Sequence, residues 1–78
     1  MERDKLELFV EILNNSKTIS FYLFNVKYII YYENKKYIIK QESLSTYKIY
    51  PSIIDLFNNY YIYGESLKDL FYEIKIIY

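Results

Sequence analysis

Two groups of residues in this sequence could carry chemistry. The first is a repeated serine–aspartate motif, Ser52-Ile53-Ile54-Asp55-Leu56-Phe57 and Ser66-Leu67-Lys68-Asp69-Leu70-Phe71. A serine nucleophile needs a base to take its proton, and the sequence contains neither histidine nor cysteine. The same S-x-x-D spacing is a capping box, in which the serine oxygen accepts the backbone N–H three residues on. Capping accounts for both serines and both aspartates, and the Leu-Phe that follows each becomes the apolar side of a helix. Without cysteine there are no thiolate metal sites and no disulfides. One glycine, Gly64, is too few for a phosphate-cradling loop. No acidic cluster has calcium-loop spacing. The expectation is a protein that is not an enzyme and carries no metal or cofactor.

The second group is aromatic and basic. Twelve tyrosines and five phenylalanines stand among ten lysines and arginines. A tyrosine ring is stiff and apolar while its hydroxyl stays wet, which suits protein interfaces. Lysines interleaved with tyrosines can also neutralise phosphates and stack bases. An AT-rich coding sequence raises Tyr, Ile, Lys and Asn together, so position has to carry the argument rather than abundance.

Charge is unevenly placed although the formal net charge is +0. Arg3 and Lys5 face Glu2, Asp4, Glu7 and Glu11 in the first sixteen residues. The middle, from Lys17 to Tyr50, holds Lys17, Lys27, Lys35, Lys36, Lys40 and Lys48 against only Glu33 and Glu42. The last stretch is acidic again, with Asp55, Glu65, Asp69 and Glu73 against Lys68 and Lys75. A basic middle flanked by acidic ends reads first as ordinary solvation of three segments and leans only modestly toward an anionic partner for the middle.

The elements that must position these residues follow from period and punctuation. Asp4 and Glu7 open a helix over residues 4–14, with Leu6, Phe9, Val10 and Leu13 at helical spacing and Asn14-Asn15-Ser16 as the stop. Residues 18–41 switch to β-branched and aromatic runs without Gly or Pro, read as three strands. Glu33-Asn34-Lys35-Lys36 is a hairpin turn. A second turn falls near Asn25, the alternative being one long bent strand over 18–32. Tyr47-Lys48-Ile49-Tyr50 is a possible short fourth strand. Helices then start at Pro51-Ser52, running to about Asn58, and at Ser66, running to about Lys75, before an extended tail. The fold class expected is α+β: a three-stranded antiparallel sheet with an N-terminal helix and two C-terminal helices, in a single domain over residues 1–78. Hydrophobic residues at 53% supply its core, for which Phe9, Leu13, Phe21, Leu23, Ile30, Ile39, Leu56, Phe57, Leu70 and Phe71 are the candidates.

The turn fixes the register. With Asn34 and Lys35 in the loop, Tyr32 pairs with Tyr37, Tyr31 with Ile38 and Ile30 with Ile39, and opposite residues share a face. Tyr28, Ile30, Tyr32, Tyr37 and Ile39 then form the core face. The other face mixes Lys27, Ile29, Tyr31, Glu33, Lys36, Ile38, Lys40 and Glu42. A strand face turned only to solvent is normally more polar than this. Either the N-terminal helix covers it, or it is an exposed apolar patch rimmed by lysines. In the second case Ile29, Tyr31, Lys36, Ile38 and Lys40 are the partner-binding residues.

The order helix, three strands, helix, helix, with Lys-Tyr-Ile-Ile at 27–30 and again at 36–39, resembles that of small proteins encoded by phages and mobile elements of low-GC Gram-positive bacteria. The ending Phe57-Asn58-Asn59-Tyr60 and Tyr63-Gly64-Glu65-Ser66-Leu67-Lys68-Asp69-Leu70 carries the same resemblance. In layout the set is similar to small type II-A anti-CRISPR inhibitors, which have a three-stranded antiparallel sheet packed with helices. The resemblance implies stoichiometric binding to a host protein, such as a CRISPR or other defence effector. Inhibitors that mimic DNA are strongly acidic, so in a neutral chain shape and aromatic surface would have to do the work. A small nucleic-acid-binding regulator using the Lys/Tyr strand face is the alternative, and an oligomerising module the third. Apolar runs are short and broken by Lys, Asn or Glu, so no membrane span is expected. Met1-Glu2-Arg3-Asp4-Lys5 lacks the apolar stretch of a signal peptide. The location expected is cytoplasmic, in the host cell if the chain is phage-encoded.

Overall fold

The computed structural model describes residues 4–77. The first helix, α1 (Lys5–Ser16), starts where the Asp4 carboxylate accepts the Leu6 N–H. It runs past the Asn-Asn pair and ends at Lys17, whose left-handed backbone sends its N–H back to the Leu13 carbonyl. Strands β1 (Thr18–Leu23), β2 (Val26–Glu33), β3 (Lys36–Gln41) and β4 (Tyr47–Tyr50) follow as an antiparallel meander.

Both tight turns are two residues long with both φ angles positive, Phe24 and Asn25 in one and Asn34 and Lys35 in the other. That backbone matches the right-handed twist of the flanking strands. The β2–β3 register is the expected one, with Tyr31 opposite Ile38 and Ile30 opposite Ile39. The turn near Asn25 is real, so residues 18–32 are two strands rather than one bent strand.

After β4, Ser52 and Ser66 each accept the backbone N–H of the aspartate three residues on, at 3.1 and 3.3 Å. These caps start α2 (Ile53–Asn59) and α3 (Leu67–Leu70). Between the helices lies a small hairpin, β5 (Tyr61–Ile62) and β6 (Glu65–Ser66), turning at Tyr63 and Gly64. Gly64 sits at φ +82°, which L side chains resist. The Phe24 and Tyr63 rings, each on a left-handed turn residue, touch at 5.7 Å between centroids.

The C-terminus departs from expectation. The last helix does not reach Lys75. α3 stops at Leu70, a 3₁₀ turn follows over Phe71–Glu73, and Lys75–Ile77 becomes strand β7. The sheet therefore has five strands, in the order β4-β3-β2-β1-β7, rather than three with a possible fourth. Ile74, Ile76 and Ile77 are β-branched and prefer extended backbone, and β1 offers an unpaired edge that takes them antiparallel, Phe21 opposite Ile76. Lys5 anchors this return. Its ammonium donates to the carbonyls of Phe71, Tyr72 and Ile74 at 3.3, 3.0 and 2.7 Å, the first of which also accepts the Ile74 N–H.

All three helices pack on one face of the sheet. Phe9 and Leu13 of α1, Leu56 of α2, and Leu67 and Leu70 of α3 join Ile19, Phe21, Tyr28, Ile30 and Ile39 in one buried cluster. Phe9 lies at its centre, its ring within 6 Å of the rings of Phe21, Phe57 and Phe71. Of the ten core candidates, eight are buried, whereas Phe57 and Phe71 are half-buried at the margin.

Candidate interaction surface

The opposite face of the sheet is built by alternation. Side chains point to the two faces in turn along a strand, and cross-strand partners share a face. Since Ile30 and Ile39 face the helices, Ile29, Tyr31, Ile38 and Lys40 must face away. The pairing extends this face across the sheet. One row reads Thr18, Tyr31, Ile38, Ile49, and the next Ile77, Ser20, Ile29, Lys40, Tyr47. A third joins Lys75, Tyr22 and Lys27.

No described helix covers this face. Every buried helix residue belongs to the cluster on the other side, and none of these outward residues packs against that cluster. Ile38 is the telling case. It is 7% exposed yet stands outside the cluster, so its cover comes from its neighbours on the open face. The possibility that the N-terminal helix lies over Tyr31 is thus resolved: α1 packs on the Phe21 side.

The five expected residues come together on this one face. Ile29, Tyr31 and Lys40 are half-buried, Ile38 is buried among them, and Lys36 is exposed. β4 adds what the sequence reading left out, Tyr47 and Ile49, 58% and 49% exposed. The signal was available, because Tyr47-Lys48-Ile49-Tyr50 alternates and its pairing to β3 follows the meander. Tyr31, Ile38, Tyr47 and Ile49 line a shallow depression of about 280 Å³, with Lys36 and Glu33 at its edge.

Lysines surround the apolar centre. Lys36 and Lys40 stand on β3, Lys27 on β2 and Lys75 on β7. Glu42 lies 3.5 Å from Lys27 and takes up part of that charge. Ser52 and Ser66, by contrast, are engaged as helix caps. Among the described residues no three acidic side chains gather as a metal site would require, and no helix is long and apolar enough to cross a membrane. What this surface offers chemically is aromatic and aliphatic contact area with a mixed rim, the lysines interleaved with Glu33 opposite Lys36 and Glu42 beside Lys27. Comparison with family models, with curated proteins and with solved structures gives no match.

Proposed function

We propose that this chain works by non-catalytic, stoichiometric binding to another protein, as an inhibitor or modulator, and that the open sheet face is where the partner docks. The observation that carries this reading is the apolar centre of Ile29, Tyr31, Ile38, Tyr47 and Ile49 on a face that no described helix covers. Contiguous exposed apolar surface rimmed by polar groups marks interaction sites in soluble folds. A central aromatic in such a patch carries a large share of binding energy, and rim charges mainly set association rate. The resemblance to phage-borne inhibitors directs the search for the partner to CRISPR and other defence effectors of a bacterial host.

A second reading has its own observation. Tyr22, Tyr31 and Tyr47 present aromatic rings on the lysine-rimmed face, an arrangement on which single-stranded nucleic acid can stack. One experiment separates the two. The purified chain and its Tyr31→Ala variant are titrated with random single-stranded DNA and, separately, with a candidate effector, each at low and high salt. The protein reading expects a one-to-one complex with the effector that persists at high salt and is weakened about 30-fold by Tyr31→Ala, equivalent to about 2 kcal/mol. Binding confined to DNA, collapsing with salt in proportion to the lysines engaged, would overturn it in favour of the second reading.

A further inference from the structure

The outer edge of β4 is an open row of main-chain donors and acceptors. In an antiparallel pair, residues that exchange both main-chain hydrogen bonds alternate with residues whose N–H and C=O point the other way. The Glu42 N–H donates to the Lys27 carbonyl, which fixes this phase between β2 and β3. Lys36, Ile38 and Lys40 therefore bond to β2, which leaves Tyr37 and Ile39 to bond to β4. Across the β3–β4 register those two meet Tyr50 and Lys48. Tyr47 and Ile49 keep N–H and C=O groups aimed away from the sheet. Among the described residues no backbone hydrogen bond from outside the sheet reaches them. Their side chains, 58% and 49% exposed, stand on the open face and wall its depression. The far edge of the sheet is different. There the Tyr32 N–H donates to the Lys17 carbonyl, so Ser20 and Tyr22 bond to Ile77 and Lys75 of β7. Of the described β7 residues that leaves Ile76 pointing outward, and its side chain packs toward the helices.

We propose that the partner of the open face contributes an extended segment, which adds beside β4 as a sixth strand of the sheet. This rests on the reading of the open face as a docking surface, and it names the kind of chain that docks there. The occupant is set by the backbone rather than by charge. Donors and acceptors in line at alternate residues are matched by an extended peptide and not by a helix, whose own groups are used internally. Opposite residues share a face, so the incoming residues beside Tyr47 and Ile49 continue the apolar rows of the open face. Apolar or aromatic side chains fit at those two positions, and proline, which has no N–H, does not. No proline interrupts Tyr47–Tyr50, and its ladder to β3 is continuous. The same strand is built against pairing with a second copy of itself. About a two-fold at Lys48, the two lysines would sit directly opposite in a non-hydrogen-bonded pair, where the Cα atoms are closest. A two-fold at Ile49 sets Tyr47 against Pro51, which has no N–H to give. A two-fold at Tyr47 calls on Ser45, which lies in a bend outside the strand. A foreign extended segment meets none of these obstacles.

The test is heteronuclear NMR of the full chain with amide hydrogen exchange. The probe is a short peptide alternating valine and threonine, blocked at both ends, and its control is the same peptide N-methylated at every residue. In the free chain the Tyr47 and Ile49 amides should exchange quickly, and those of Lys48 and Tyr50 more slowly. Millimolar peptide should slow exchange at Tyr47 and Ile49 severalfold, and the methylated peptide should not. Ile49→Pro removes an outward N–H that the ladder to β3 does not use, so the fold tolerates it. Ile49→Ala trims the same side chain and keeps the N–H. Strand addition expects Ile49→Pro to abolish peptide binding and Ile49→Ala to weaken it in part. Should Ile49→Pro unfold, the methylated peptide asks the same question from the other side. Four results would each overturn the proposal: Tyr47 and Ile49 amides already protected in dilute free chain, protection that grows with protein concentration without peptide, no change at millimolar peptide, or equal binding of the methylated peptide. Failure here is distinct from failure of the binding function. An effector that Ile49→Pro and Ile49→Ala bind alike, yet Tyr31→Ala loses, keeps the open face and sinks strand addition alone. An effector indifferent to Tyr31 and Ile49 sinks the reading beneath it as well.

Discussion

The two faces of the central sheet are made from the same residues and come to different ends. Strand β2 carries Ile29 and Ile30 side by side, and β3 carries Ile38 and Ile39. In each pair one isoleucine lies fully under the helices and the other faces away from them. Hydrophobicity at single positions therefore does not decide which face becomes the core. What decides it is the covering layer, with Phe9 and Leu13 of α1 and Leu56, Leu67 and Leu70 of the later helices all arriving on one side. The other face keeps core-like composition with no cover from the described residues. An antiparallel sheet tolerates that when the exposed side is polar; here it is apolar at the centre, and this mismatch between composition and cover is the argument for a partner.

Substitutions on the two faces should separate stability from binding. Phe9→Ala is expected to be the most damaging, costing about 3–5 kcal/mol, because three other rings lean on a side chain with no exposure. In a domain of this size that is most of the folding free energy. Urea unfolding followed by circular dichroism would measure it. The sharper comparison uses neighbours on one strand. Ile39→Ala should cost about 3 kcal/mol, since the cavity it leaves is closed in by helices. Ile38→Ala should cost about 2 kcal/mol, the transfer cost of the buried carbons alone, because its partly exposed neighbours can close over the space. Equal losses at the two positions would mean that the open face is packed as a core, and the contrast drawn above would fail.

The helix caps give a smaller, purely structural effect. Ser66 is 7% exposed, and its hydroxyl accepts the Asp69 N–H at the start of α3. Ser66→Ala should lower stability by about 1 kcal/mol and leave effector binding intact, since the cap lies on the helical side of the sheet. A variant with an unchanged melting temperature and lost binding would move the working surface away from the open face and toward the C-terminal helices.

Much of this arrangement is legible in the sequence, for identifiable reasons. Asn34 and Lys35 make a two-residue turn, and a two-residue turn sets the register of both strands, which places all five expected residues on one face without further information. The S-x-x-D motifs name their helix starts because capping is local chemistry. What could not be read locally depends on distant partners. Lys75–Ile77 looks like a frayed helix end until the free edge of β1 is in place to pair it. Ile74 then becomes core, 2% exposed, although nothing near it in sequence says so. Which face α1 covers is likewise undecided by its own pattern, because Leu6 and Val10 give the helix apolar character on two sides. Tyr47 and Ile49 needed only the meander to be carried one strand further.

The smallest effect expected lies among the tyrosines on the covered side and shows only in alkali. Burial raises the phenol of Tyr60 above its ordinary value of 10.0, and the nearby Tyr28 and Tyr50 phenols add to the shift. Burial likewise raises Tyr28, whose ring meets that of Tyr60 edge-on at 6.4 Å, and Tyr50. The folded chain thus holds these protons after the unfolded chain has begun to release them. Above the unfolded value the native state binds more protons than the denatured state, so unfolding becomes easier as pH rises. The contribution is complete below pH 10 and is lost as pH climbs through the raised native values. Tyr60→Phe removes one such group while keeping the ring. Its urea midpoint should track the parent with a constant offset at neutral pH and then fall less steeply beyond pH 10. All other groups are common to both proteins and cancel in the difference. Parallel curves throughout would mean that water reaches Tyr60 freely, and that the covered side is less sealed against solvent than its packing implies.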